Sequence, residues 1–315
     1  MSLANPRLVD GTQAPPTDST VALSAPGFEH RPTGARTGKG GRRLGATALH
    51  VALIVAGLAM VFPFVWMLLT SFKSLPQLLQ DPLAFLPQPW TFDNYVEAWN
   101  AVPFGQAYVN SIYIAALVVV GTLLTAAMAG YAFARIRFRG SRVLFIVFLA
   151  TQMIPKQVTL IPFYILMTQL GWVDSHLALI VPGLLANPFA VFLMRQFVLS
   201  LPKELEEAAI VDGAGRWRIF WSVVLPNLKP GLAALSIIVA LDVWNAFLFP
   251  LVLLNSPDLF TVPLLLSSFQ GQFGSVNYGL VMAASAISTI PMLIVFVIGQ
   301  RRILNSMAAS GLGGR

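Results

Sequence analysis

Apolar and polar residues occur in long separate blocks along this chain. Six blocks are almost wholly apolar, at about 46–71, 107–133, 143–168, 177–198, 231–254 and 279–300. A helix of about 20 such residues crosses the roughly 30 Å of hydrocarbon in a bilayer, and each block reaches that length. The pattern predicts an all-α polytopic membrane protein with six transmembrane helices, and it leaves no room for a soluble catalytic domain. The third block is interrupted by Met153-Ile154-Pro155-Lys156-Gln157 and again by Pro162. Proline removes a backbone donor, so a break there must be satisfied by neighbouring helices or water. The first block closes on Pro63-Phe64-Val65-Trp66 and Thr70-Ser71-Phe72-Lys73, an aromatic and basic edge suited to the membrane interface. The outer loop that follows adds Trp90, Tyr95 and Trp99, candidates for an aromatic belt.

Between and around the blocks the chain changes character. Residues 1–45 are rich in Gly, Pro, Ser, Thr and Arg without apolar periodicity, and read as a disordered cytoplasmic tail. The polar leader is too long for a signal peptide, and the apolar run behind it exceeds an h-region of about 7–15 residues. Residues 46–304 then form the transmembrane domain, and 305–315 a short cytoplasmic C-terminal tail. No repeat of about 20–50 residues is visible.

Charge orients the predicted spans. With the N-terminus inside and six crossings, 18 of the 20 Lys and Arg fall on the inner side, leaving Lys73 outside and Lys156 within the third block. This positive-inside bias places both termini in the cytoplasm. It also removes the nucleic-acid reading of the net charge of +7, because the excess is accounted for by topology. Composition agrees: 10% of residues are charged, where a soluble domain carries about 25%, and mean hydropathy is +0.73.

One loop breaks the charge rule. Between the fourth and fifth blocks, at about 199–229, the chain reads Glu204-Leu205-Glu206-Glu207-Ala208-Ala209-Ile210-Val211-Asp212-Gly213-Ala214 and closes at Leu225-Pro226. Ser200 is a candidate helix cap with Pro202 in the first turn, and the three Glu favour that positive helix end. Leu205, Ala208, Ala209 and Asp212 recur at helical spacing and give a narrow, nearly flat face. Gly213 and Gly215 end the helix, and Trp217–Val224 begins a second. A short helix of small residues lets another protein approach closely, and its acidic flank can pair with basic groups there.

The order Glu-Ala-Ala, three residues, Gly, then Leu-Pro resembles the coupling loop of ABC importer permeases. Pro188–Phe197 before the loop, Leu225–Pro230 after it and Val243-Trp244-Asn245-Ala246-Phe247-Leu248-Phe249-Pro250 extend that resemblance over about residues 46–308. The likeness is to the carbohydrate-uptake permeases of the maltose and glycerol-3-phosphate type, and within them to the second, six-span subunit. It implies that Glu207, Ala208, Ala209, Gly213 and Asp212 dock on an ATPase subunit. It also implies that the outer segment around Ser268, Gln270, Gly271 and Gln272 reaches an extracytoplasmic sugar-binding protein. A second permease, in a heterodimer, and two ATPases carrying ATP and Mg would complete the assembly in the cytoplasmic membrane, with no cofactor bound by this chain. Two departures stand out: Ala246 lies where family members commonly carry an acidic residue, and the chain ends Gly311-Leu312-Gly313-Gly314-Arg315 rather than in a Val-Lys-Gly-like tail.

Asp242 is the sharpest feature inside a predicted span. A carboxylate at a helix centre costs roughly 2.5–3.5 kcal/mol on insertion scales, so it is expected to face a cavity or a partner. By spacing Asp242, Asn245 and Phe249 share one face, and carboxylate, amide and aromatic ring together suit a sugar path. The alternatives are a structural hydrogen bond to another helix or a buried pair with Lys156.

Other chemistry is missing. The string Gly34-Ala35-Arg36-Thr37-Gly38-Lys39-Gly40 has three residues between its first two glycines rather than four, and Gly40 where a phosphate loop needs a hydroxyl. The chain holds no Cys, and His30, His50 and His176 are scattered without metal-ligand spacing. His176, beside Asp174 in an outer turn, is expected to be solvated. A glycerol-3-phosphate permease, a secondary transporter and a multi-span membrane enzyme are the rival readings. The last two need an ion-coupling site or clustered catalytic residues, for which the spans offer little.

Overall fold

A computed structural model describes residues 39–185, 187–269 and 277–312. The expected disorder of the tail lies, for residues 1–38, outside the described residues; from Lys39 the chain is already helical, so the first helix starts earlier than the apolar block. The chain divides into two units, Met1–Gly57 and Leu58–Arg315.

The secondary structure is helical, with a single isolated bridge between Lys73 and Trp90 among the described residues. Helix α1 (Lys39–Ser71) is followed by two short helices, α2 (Leu75–Gln80) and α3 (Asp93–Asn100). The long α4 (Phe104–Arg135) comes next. The third apolar block divides into α5 (Ser141–Ala150), a 3₁₀ turn at Thr151–Met153 and α6 (Leu160–Gln169). Pro155 lies in the gap, but Pro162 makes no second break: it occupies the first turn of α6, where no intrahelical donor is missed. Helices α7 (Leu177–Leu185) and α8 (Pro188–Ser200) follow, with the Asn187 side chain capping α8 by accepting from Ala190 N at 3.0 Å.

Beyond the acidic loop, α9 (Glu204–Val211) leads to α10 (Arg216–Ile219), a π turn at Phe220–Val224, α11 (Leu225–Asn227) and α12 (Lys229–Trp244). The chain bends by 74° between Arg216–Asn227 and Lys229–Trp244. The fifth block was expected to be helical to residue 254. Instead α12 ends at Trp244, where Asn245 turns its amide back onto the Leu241 carbonyl at 2.8 Å, and α13 (Leu248–Leu253) is separate. Helix α14 (Val262–Ser268) and α15 (Tyr278–Leu312) complete the fold. The short C-terminal tail expected from 305 is therefore helical as far as Leu312.

Among the described residues, four helical segments are long and apolar enough to cross a membrane: Thr47–Ser71, Phe104–Arg135, Leu177–Ser200 and Tyr278–Gly299. The bent pair around α12 makes a fifth. At about 1.5 Å per residue, α6 and the stretch Ser141–Met153 each cover only about half of a bilayer.

Helix α4 is the centre of the packing. Its residues Ile114, Val118 and Ala126 meet Ile180 of α7, Ala190, Val191 and Met194 of α8, and Leu235 and Val239 of α12. Between membrane helices apolar burial gives no drive, since lipid is equally apolar, so close backbone approach must supply the attraction. Gly130 provides it: a Cβ there would lie 2.8 Å from Met194 Cβ and 2.8 Å from Arg195 N.

Candidate functional site

The C-terminal end of α4 positions the acidic loop. Arg135, in the last turn of α4, donates through Nη2 to the Val198 and Leu201 carbonyls at the end of α8, at 3.0 and 2.7 Å. Through Nε it reaches Glu206 Oε1 at 2.6 Å, and the two side chains are 8% and 13% exposed. Tyr131 OH donates to the other Glu206 oxygen at 3.4 Å. One guanidinium therefore ties α4, α8 and α9 together, using the planar fork that lysine lacks.

The start of α9 differs from the sequence expectation. Ser200 is the last residue of α8 and donates to the Phe197 carbonyl, so it caps nothing; Lys203 is the N-cap and Pro202 precedes it. The end of α9 follows the sequence closely. Gly213 has φ +77°, its N–H bonds the Ile210 carbonyl and Ala214 N–H bonds the Ala209 carbonyl, both at 2.9 Å. That is a Schellman closure, whose left-handed residue favours glycine. Ala209 and Ala214 pack on a buried cluster of Tyr131, Val198, Ile219, Phe220, Val224 and Leu228. With Glu206 and Ala209 turned inward, Glu207, Ala208 and Asp212 are left exposed. Beside them stand exposed Leu205, Ile210, Trp217 and Trp221, and Val211 at 87% exposure. A contiguous exposed apolar surface of this kind marks an interaction site.

The candidate path residues do not share one helical face, because α12 stops before Phe249. Phe249 belongs to α13 and meets Phe163 of α6 edge-on, ring centroids 5.1 Å apart. Asp242 lies in the last turn of α12 with its carboxylate 3.4 Å from Lys156 Nζ, in the break of the third block. The pair expected as one alternative is present, but it is exposed within the chain, at 65% and 71%, rather than buried.

The N-terminal part of α4 is held by a dense hydrogen-bond frame. His176 is not solvated: Nε2 bonds the Leu259 carbonyl at 2.7 Å and Nδ1 engages Tyr113 OH. Asp174 accepts from Asn255 N, Ser256 N and Ser256 Oγ at 2.8, 2.9 and 2.5 Å, and these bonds hold its carboxyl below the usual range. Asn110 donates to the Asp258 and Phe260 carbonyls, and Ser111 Oγ accepts from Val262 N. The frame fixes the approach to α14 and Ser268, whose Oγ bonds the Leu265 carbonyl. Gln270, Gly271 and Gln272 lie outside the described residues. Lys73 is wholly buried, donates to the Ala84 carbonyl and lies 4.6 Å from the Trp66 ring centroid. Burial pushes its pKa down and Asp81 opposes the shift.

Sequence reasoning missed the Arg135–Glu206 tie and the apolar surroundings of the α9 face. Their signals were present: an Arg closing one apolar block, and an acidic run immediately after another.

Residues 121–308 match the family described as "Binding-protein-dependent transport system inner membrane component". The chain is 33% identical over 276 residues to the diacetylchitobiose uptake system permease protein NgcG of Streptomyces coelicolor, covering 87% of this chain and 91% of that one. It is 37% identical over 257 residues to the arabinooligosaccharides transport system permease protein AraQ of Halalkalibacterium halodurans, covering 81% and 91%. A crystallised bacterial ABC transporter involved in the import of the acidic polysaccharide alginate contains a chain that superposes with a TM-score of 0.75 at 26% identity, over 84% of this chain and 98% of that one. The chain therefore belongs to the inner-membrane permease family of binding-protein-dependent ABC transporters. It is a transport subunit of the membrane, as its sequence implied.

Proposed function

We propose that this chain is the six-span permease subunit of an ABC importer for a sugar or oligosaccharide. Counted this way, α5 and α6 form a divided third span and the bent α10–α12 unit the fifth, with both termini in the cytoplasm. A second permease subunit pairs with it, an extracytoplasmic binding protein delivers the cargo, and two partner ATPases hydrolyse ATP; this chain itself carries no cofactor. The observation that carries the reading is the outward face of α9. Glu207, Ala208 and Asp212 sit among exposed Leu205, Ile210 and Val211 on a helix anchored from behind by Arg135.

The mechanism is alternating access. Closure of the ATPases on ATP displaces α9, and because Arg135 joins α9 to α4 and α8, the movement passes into the membrane helices rather than being lost in a loose loop. Asp242, Asn245 and Phe249 line the path and the segment from Ser268 to Gln272 meets the binding protein. Sugar as cargo is supported by the two relatives. A glycerol-phosphate cargo would call for free cations in the path, and Lys156 is already matched by Asp242.

The test is purification of the chain from its native membrane in mild detergent, with Glu207→Lys in parallel. The parent should bring down an ATPase, a second permease and a binding protein, and the binding protein should bind sugars on a panel. The variant should lose the ATPase and keep the second permease. An ATPase that is absent from the parent, or retained by the variant together with full uptake, would overturn the docking assignment.

A further inference from the structure

Two apolar blocks are interrupted in this chain, and their interruptions meet. Between α5 and α6 every residue from Thr151 to Thr159 is exposed, and the gap at residues 154–159 is closed only by local turns. Between α12 and α13 the chain leaves the helix at residues 245–247. The two regions touch twice: Lys156 Nζ, in the first break, lies 3.4 Å from Asp242 Oδ2 in the last turn before the second, and Phe163 of α6 meets the ring of Phe249 of α13.

Backbone of this kind is tolerated within a membrane only where it is enclosed by protein or lines a water-filled cavity. The ion pair makes the same demand, since charges in spans face a bundle interior or a cavity. Within this chain, however, neither charge is enclosed. Helix stability does not explain the carboxylate either: Asp242 lies in the last turn of α12, the end whose dipole disfavours an anion. The Lys156 ammonium is what offsets it there. In a water-filled cavity such a pair is weak, and so can be made and broken without large cost. The Arg135–Glu206 pair, buried and bonded on several sides, has no such freedom.

We infer that Lys156 and Asp242 form a charge latch between two jointed spans on the wall of the translocation path, closed in the conformation described here and opened during each transport cycle. The inference rests on the importer reading above, and adds to it the second wall of the path, from Ile154 to Thr159, and a movable contact between the α5–α6 break and the end of α12. The latch keeps the path electrically neutral when closed, which suits a polar uncharged cargo.

The absence of Cys from this chain makes the test direct. In the assembled transporter, Lys156→Cys and Asp242→Cys are each treated with a charged, membrane-impermeant methanethiosulfonate, and the mass of this chain is read. Both thiols should react, at rates that differ about tenfold between the resting complex and one trapped with a non-hydrolysable ATP analogue. Leu235→Cys, on the fully buried side of the same helix, should stay unreactive. The double Cys variant is then joined by a short bifunctional thiosulfonate. ATP hydrolysis by the purified complex should be lost on cross-linking and return on reduction.

Thiols at 156 and 242 that resist the polar reagent in both states overturn the path placement. A cross-link that does not form, or that forms without affecting hydrolysis, overturns the latch. If no ATPase accompanies the chain at all, the importer reading fails first, and the pull-down detects that separately from either thiol result.

Discussion

The Arg135–Glu206 and Lys156–Asp242 pairs both join helices far apart in sequence, with separations of 71 and 86 residues, yet their surroundings are opposite. The first is nearly buried, short at 2.6 Å, and surrounded by further bonds to Tyr131, Val198 and Leu201. The second is long at 3.4 Å, about two-thirds exposed and without other partners for its charged atoms among the described hydrogen bonds. Burial converts an ion pair into a strut, because separating it leaves a charge without water; exposure makes it a contact that can be exchanged. On the proposed reading, the α9 end of this chain transmits a displacement and the region between the two broken spans accommodates one.

Removing one partner from each pair tests that contrast most severely. Arg135→Ala strands the Glu206 carboxylate and removes the donor to two backbone carbonyls, Val198 and Leu201, and should cost about 3–5 kcal/mol. Thermal unfolding of the purified complex and the yield of assembled transporter both report it. Lys156→Gln should move the same unfolding curve by less than about 1 kcal/mol. Equal losses in the two variants would abolish the distinction. Next in size is Glu207→Lys, on the same helix as Glu206 but facing outward. It should leave the unfolding curve in place while lowering uptake roughly tenfold or more, equivalent to about 1.4 kcal/mol at an interface. Glu206 and Glu207 are adjacent, so opposite outcomes would locate the division between strut and docking face within a single peptide unit.

How far the sequence foretold these regions depends on the range of the interaction. Membrane spans are written in local composition, so the four long helical segments fall where the apolar blocks predict, whereas the third block is divided and the helix of the fifth stops at Trp244. The Schellman end of α9 was equally legible, because Gly213 is the one residue type that takes a left-handed φ freely. Helix starts were less so: Ser200 looks like a cap by residue type, but α8 uses it up before the turn at Leu201 begins. The end of α12 could not be read from apolarity, since Ala246-Phe247-Leu248 suits a helix and only Asn245, folding back on Leu241, ends it. Contacts across the fold were the hardest. His176 looks like a surface residue until Tyr113 and Leu259 arrive from 63 and 83 residues away. Arg135 likewise read as one more inner positive charge until Glu206 was placed beside it.

The C-terminal closure of α9 refines the docking side of the comparison. A Cβ at Gly213 would meet nothing within 4 Å, so the cost of Gly213→Ala is conformational alone. Left-handed backbone with a side chain costs about 1–2 kcal/mol, and Asn tolerates it better than Ala. Gly213→Ala should therefore weaken ATPase association more than Gly213→Asn does, with the Arg135 anchor intact in both. Association constants for the three proteins settle the order, and Ala equal to Gly would mean that the closure has no part in presenting the docking face.

The smallest effect belongs to the frame around Asp174, where a charge is held by hydrogen bonds rather than by an opposite charge. The Asp174 carboxyl is depressed because Ser256 Oγ, Ser256 N and Asn255 N all donate to its ionised form. A group whose folded pKa lies below its unfolded value contributes stability that is complete above the unfolded pKa, here 3.8, and disappears as pH falls through the folded one. Protection of the Asn255 and Ser256 amides against hydrogen exchange, corrected for the intrinsic rate, should thus be flat near neutrality and decline below about pH 4. In Asp174→Asn the decline should vanish, with lower protection throughout, because an amide supplies one acceptor oxygen where the carboxylate supplies two. A decline that persists in the variant would transfer the titration to another group and leave Asp174 as a neutral turn residue. A flat parent profile would show that the segment leading to α14 is held by the Asn110, Ser111 and His176 bonds alone, which makes this frame, unlike the Arg135 strut, insensitive to the loss of a single charge.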